Sequence, residues 1–214
     1  MALRLRWLWL VLGAGLLLAF ADISGGLILS HESVSNHAQF GLLTGGIVAL
    51  IVGGAGWHWR RLNWKPGLET LALAGIVVLA LAVRLIYLES AFRYFIDEMN
   101  FARFVRMLDN GHSAPMAAPF SSLTAFTWLY PYWQSLTFPL FDSPLVGLRV
   151  VSAVVGVLRV IAIYGLAREL FDWRAGLVAA ALLAVYPPPV HFSRIGINNI
   201  AEPLMGTLAL FWLV

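Results

Sequence analysis

The chain has 214 residues, of which 60% are hydrophobic and only 12% charged, and its mean hydropathy is +0.82. A soluble domain carries about 25% charged residues, so the composition excludes an ordinary soluble globule and indicates a polytopic membrane protein. The net charge of +3 rests on few charges and reports loop placement rather than nucleic-acid binding; the absence of cysteine excludes disulfide and thiolate chemistry.

Crossing the hydrocarbon layer takes about 20 mostly apolar residues. In chain order, candidate spans begin at Trp7 (WLWLVLGAGLLLAFADISGGLIL), Phe40 (FGLLTGGIVALIVGGAGW) and Leu68 (LETLALAGIVVLALAVRLIYL). After a long polar interlude, two more begin at Ser143 (SPLVGLRVVSAVVGVLRVIAIYGLA) and Ala175 (AGLVAAALLAVYPPPV). A last run, PLMGTLALFWLV, is still apolar at Val214. The first span has the basic start of a signal peptide, but it runs too long and reaches Asp22 without a clear cleavage pattern, so it reads as a retained helix.

Basic residues favour the cytoplasmic side. Arg4 and Arg6 precede the first span, Arg60, Arg61 and Lys65 separate the second from the third, and Arg168 and Arg174 separate the fourth from the fifth. The SHESVSNHAQ loop has no Lys or Arg. The expected topology therefore puts these basic segments inside. The loop over residues 89–144 and the HFSRIGINNIAEP loop then both face outside.

The loop over 89–144 is too long for a simple connector. Its first part has helical periodicity. At about 100° per residue, Asp97 falls on the stripe of Phe101, Phe104, Val105 and Leu108, with Glu98, Arg106 and Asp109 opposite and Gly111 as a stop signal. This describes an amphipathic helix on the membrane surface. A carboxylate at the head of the apolar stripe needs something to stabilise it. Alternatively, Asp97 or Glu98 simply favours the positive end of the helix dipole. The following segment, with Pro115, Pro119, Pro131, Pro139 and Pro144, is irregular and aromatic. Trp128, Tyr130, Tyr132 and Trp133 fit an interfacial belt, or an apolar wall with hydroxyls for a sugar or polyprenyl chain.

Arg159 lies near the middle of the fourth span, where insertion costs roughly 2.5–3.5 kcal/mol, and so should have a partner. Arg84 and Arg149 are nearer outer ends and either snorkel or hold an anionic headgroup. Ser152 and Gly156 fit close helix packing. Pro187, Pro188 and Pro189 end the fifth helix. His191, Arg194, Asn198, Asn199 and Glu202 follow closely. One of the asparagines suits a helix cap with Pro203 in the first turn, which leaves Arg194 and Glu202 unexplained.

An acidic pair after an outer helix end, a surface helix and a Pro- and Tyr-rich loop precede LRVVSAVVGVL, ARELFDWRAGLVAAALLAVYP and FSRIGINNIAEPL. Over residues 68–214 this order resembles the integral-membrane glycosyltransferases of the GT-C fold, nearest to the protein O-mannosyltransferase and aminoarabinose-transferase branch. Unlike the aminoarabinose-transferase pattern, the first outer loop has no lysine. The resemblance implies an all-α polytopic GT-C-like bundle, with residues 1–66 as an added two-helix hairpin and 67–214 as the first part of a longer catalytic domain.

It also implies transfer of a sugar from a polyprenyl-phosphate carrier to a lipid, glycan or protein acceptor. The transfer is expected to be an inverting displacement on the outer face of a cell membrane. Asp97 would be the base or acceptor-positioning carboxylate, with Glu98 beside it and Glu202 as a second acidic position. Arg149 and Arg194, with His191, Tyr130, Tyr132 and Asn198, would bind the donor. The leaving phosphate calls for a cation, either a guanidinium or a divalent metal ion. A transporter or lipid-carrier flippase is the alternative, since it too explains intramembrane arginine and a polar outer vestibule.

Overall fold

Inside a bilayer every backbone N–H and C=O must be satisfied by the protein, and a helix does this within one segment. The computed structural model, which describes residues 2–55, 67–90, 96–121 and 124–214, is built accordingly. Its elements in order are α1 (Ala2–Gly25), α2 (Asn36–Ala55), α3 (Leu68–Leu85), α4 (Ile96–Asp109), β1 (Pro119–Ser121), β2 (Thr124–Thr127) and α5 (Leu129–Thr137). A 3-10 turn at Phe138–Leu140 leads to α6 (Pro144–Leu170), α7 (Trp173–Val185) and α8 (Pro187–Phe192), and a second 3-10 turn at Asn198–Ile200 leads to α9 (Ala201–Leu213). Arg6–Gly25, Asn36–Gly54, Leu68–Leu85 and Pro144–Leu170 are long and apolar enough to cross a membrane. The chain is an all-α polytopic membrane protein, and its short β-hairpin was not expected.

The span expected from Ala175 differs. Helix α7 has 13 residues, about 20 Å of rise, which is short of the ~30 Å hydrocarbon core. It begins at Asp172, whose carboxylate accepts from Ala175 N at 2.8 Å. It ends at Val185 because Pro187, Pro188 and Pro189 have no N–H to return to its last turn. The same prolines start α8, where an N–H would have no helical partner anyway. Arg60, Arg61 and Lys65 lie outside the described residues.

Contacts divide the chain into two units, residues 1–65 with 107–132, and residues 66–106 with 133–214. In the first, α1 and α2 pack as a hairpin, and Gly13 and Gly46 let the backbones approach where a side chain would collide with Leu50 or Leu17. The loop between them is tied to the segment after α4. Asn36 donates to His112 O at 2.6 Å and accepts from Ala114 N at 3.1 Å, and Ser113 donates to His31 O at 2.6 Å. Gln39 accepts from Met116 N at 3.2 Å. These bonds hold the two segments against each other.

Residues 107–112 close α4 with paired bonds, Gly111 N to Leu108 O and His112 N to Met107 O, and Gly111 takes φ +84° to do so. The expected stop at Gly111 has this origin. Trp128, Tyr130 and Tyr132 do not form an exposed belt, for all three are buried. The Tyr132 hydroxyl meets His37 Nδ1 at 2.5 Å, its ring stacks at a tilt on Phe40, and burial raises its pKa above the ordinary phenol value.

The second unit has its core where α3, α6 and α7 meet, around Leu73, Ala80, Val157, Val160, Tyr164, Ala180 and Ala184. Helix α9 runs along α6, with Phe211 close to Gly165. At one end of the bundle Glu69 pairs with Arg168 at 2.8 Å and accepts from the Tyr164 hydroxyl. At the other end the candidate site is assembled.

Candidate active site

Helix α4 buries Glu98, Phe101, Val105 and Leu108 and exposes Asp97, which reverses the expected faces of the acidic pair. At 100° per residue, Asp97 and Glu98 lie about 50° on either side of the mean direction of Phe101, Val105 and Leu108. Counting Phe104 in the stripe tilts it toward Asp97, but Phe104 is only half-buried. The pattern is therefore nearly neutral between the two acids. A partner decides it.

That partner is Arg149 on α6. Its Nε donates to Glu98 Oε1 at 2.6 Å and its Nη2 to Oε2 at 2.8 Å, the parallel fork that guanidinium and carboxylate form best. Oε1 also accepts from Gly196 N at 2.7 Å. Arg149 Nη1 reaches Leu88 O at 2.9 Å and Glu89 O at 3.2 Å. Gln134 on α5 donates to Leu148 O at 3.0 Å and Gly196 O at 2.9 Å. Arg149 and Glu98 are 0% and 1% exposed. One buried ion pair thus fastens the residues after α3, the head of α4, the start of α6 and the 194–196 turn. A buried pair persists only when its remaining lone pairs and protons are also bonded, and the carbonyls and Gly196 N–H meet that condition.

The other arginines near this end are engaged in the same manner. Arg194 donates to Val83 O at 2.8 Å, Ile86 O at 2.7 Å and Tyr87 O at 3.2 Å, the carbonyls left open where α3 ends. Burial and the nearby Arg149 charge lower its pKa. Arg84, expected to snorkel, is fully buried. It donates to Ala184 O at 2.9 Å and Leu183 O at 3.3 Å, the two carbonyls that Pro188 and Pro187 leave without N–H partners. Gly156 makes room for it, since a Cβ there would lie 2.9 Å from Arg84 Nε and 2.6 Å from Ser193 Cβ.

Glu202 is exposed and lines a cavity of about 360 Å³ together with Arg159, Tyr186, Phe192 and Asn199. The Asn198 Oδ1 atom is buried without a hydrogen bond, and its side chain does not cap α9. His191 is half-buried with its ring edge-on to Phe192. Tyr130 and Tyr132 belong to the first unit. No group of three or more His, Cys, Asp or Glu side chains able to hold a metal ion occurs among the described residues. Asp97 is a single exposed carboxylate, and Glu98 is taken by Arg149, so this acidic pair does not form a cation cage. Sequence reasoning missed Gln134 and Gly196, which carry no local signal; only the turn that brings Gly196 N–H against Glu98 identifies them.

The arrangement presents one solvated carboxylate on a helix whose head is immobilised by the ion pair one residue away. Residues 127–214 match the family described as dolichyl-phosphate-mannose-protein mannosyltransferase. The match includes Arg149, Arg194 and Glu202 and begins after Asp97 and Glu98. No curated protein and no solved structure matches the chain. Over those residues, fewer than half of the chain, the similarity supports a glycosyltransferase of the mannosyltransferase kind, in a protein whose described residues include four helices long and apolar enough to cross a membrane.

Proposed function

We propose that the chain moves a sugar from a polyprenyl-phosphate carrier to a hydroxyl of a lipid, glycan or protein on the outer face of the cell membrane. Asp97 takes the proton of the acceptor hydroxyl as its oxygen bonds to the anomeric carbon. The bond from that carbon to the phosphate oxygen breaks with its electron pair, and the polyprenyl phosphate leaves from the opposite face. One displacement inverts the anomeric centre. Glu98 and Arg149 act as positioning residues, because their fork sets the orientation of the first turn of α4. Glu202 faces the cavity and suits hydrogen bonds from sugar hydroxyls, since a carboxylate only accepts.

The observation that carries this reading is the division within the acidic pair, with Glu98 locked and Asp97 exposed. In the full-length protein, Asp97→Asn should retain folding and lower turnover by the ~10²–10⁴-fold typical of a lost general base. Transfer at the wild-type rate by purified Asp97→Asn protein would refute the assignment.

A further inference from the structure

The carbonyl-capping pattern accounts for Arg84, Arg149 and Arg194, and it leaves Arg159 over. Arg159 lies on α6 about 22 Å from Pro144 and about 16 Å from Leu170, well inside the span. Its Nε is buried without a hydrogen bond, and no ion pair forms to it among the described residues. Glu202 shares the cavity with it but is not paired to it. Arg84 adds charge of the same sign, so the two guanidiniums repel one another. A cation at this depth pairs with an anion, bonds to carbonyls or faces a cavity; among the described residues Arg159 has neither of the first two, and it borders the cavity of about 360 Å³.

We infer that this cavity binds the phosphate of a membrane lipid, held by the Arg159 guanidinium. The backbone supports this, because irregular segments at membrane depth persist only where they are buried in protein or line a water-filled cavity. Ser193, in the turn after α8, packs directly on Gly156 of α6, one helical turn from Arg159. The turn at Asn198–Ile200 supplies part of the cavity wall. Tyr186, Pro188 and Phe192 give the cavity an apolar side suited to a lipid chain. The guanidinium supplies the planar, two-pronged donor that phosphate oxygens accept. The cavity is the one assigned above to the sugar through Glu202, so the inference rests on that reading, and it is read by binding rather than turnover.

The test uses full-length protein in phosphatidylcholine nanodiscs, titrated separately with polyprenyl phosphate, phosphatidylglycerol and uncharged polyprenol. Arg159→Gln should weaken phosphate-lipid binding by ~10–100-fold, the worth of a charge-assisted hydrogen bond, and leave polyprenol binding unchanged. Asn199→Trp, which fills the cavity and keeps the guanidinium, should weaken it as well. Selective binding of polyprenyl phosphate identifies the lipid as the sugar carrier, and equal, Arg159-dependent binding of phosphatidylglycerol identifies a bilayer lipid. If Arg159→Gln protein does not fold, Asn199→Trp decides. Wild-type affinity for the phosphate lipids in the folded variants would overturn the site.

Discussion

The second unit carries an acid–arginine pair at each end, and the two are chemically alike but physically different. Glu98–Arg149 is 0–1% exposed, is bonded on both oxygens and gathers four segments. Glu69–Arg168 is 20–23% exposed and joins α3 to α6, with the Tyr164 hydroxyl as a third member. In the buried pair the desolvation of each charge is balanced only by the other charge and its bonds, so neither partner tolerates loss of its mate. In the half-exposed pair water can replace either partner. Burial, rather than charge, marks the end where position is enforced. That is the end where Asp97 is presented.

The sharpest way to break this comparison is to put the two ends on the wrong sides of the membrane. These 214 residues contain no cysteine. Asp109 and Glu169 are both exposed, the former at the end of α4 and the latter beside Arg168. An impermeant maleimide applied to intact cells should label Asp109→Cys fully and Glu169→Cys only after permeabilisation. The opposite pattern would place the buried pair on the cytoplasmic side and remove the outer-face reading.

Next in size is the buried pair itself. Glu98→Gln or Arg149→Met leaves an uncompensated group in a dry site, a change that costs about 3–5 kcal/mol. Thermal unfolding in detergent should show this as a large loss of stability for each single variant. The two losses should not add in the double variant, because removing the second partner relieves the charge stranded by the first. Additive losses would mean that the two residues act separately, and the fork would not be what orients α4.

The helices of the bundle were legible in the sequence because hydropathy and the cost of unpaired backbone in lipid leave few choices. The closing of α4 at Gly111 was legible for a similar reason, since a left-handed residue is a local demand. What could not be read was the direction of each polar side chain. Asp97 and Glu98 are adjacent and nearly equivalent about the apolar stripe, and a distant arginine chose between them. Arg149 and Arg194, expected at a donor phosphate, bond in the structure to Glu98 and to helix-terminal carbonyls. The prolines were visible in PPPV, yet the need of Leu183 and Ala184 carbonyls for an outside donor is a tertiary consequence. Arg84 meets that need from 99 and 100 residues away in sequence. Tyr132, also expected at the donor, meets His37 of the α1–α2 hairpin through its hydroxyl, a contact between distant segments that no local pattern announces.

The smallest effect belongs to the half-exposed end, and it completes the comparison. Arg168 Nε and Glu69 Oε1 are 2.8 Å apart, a good distance for a charged hydrogen bond. Yet both side chains reach solvent, which screens their attraction and rehydrates whichever is left alone. Arg168→Gln should therefore lower stability by no more than about 1 kcal/mol. Glu69 would still accept from the Tyr164 hydroxyl, and Gly176 of α7 would still pack against the Tyr164 ring. Raising the salt concentration should erase most of the difference between wild type and Arg168→Gln, while leaving the Glu98→Gln deficit in place, because salt does not reach a dry pair. Equal salt sensitivity of the two deficits would show that the Glu98–Arg149 pair is wetter than its burial implies. The Asp97 carboxylate would then lack its rigid mount.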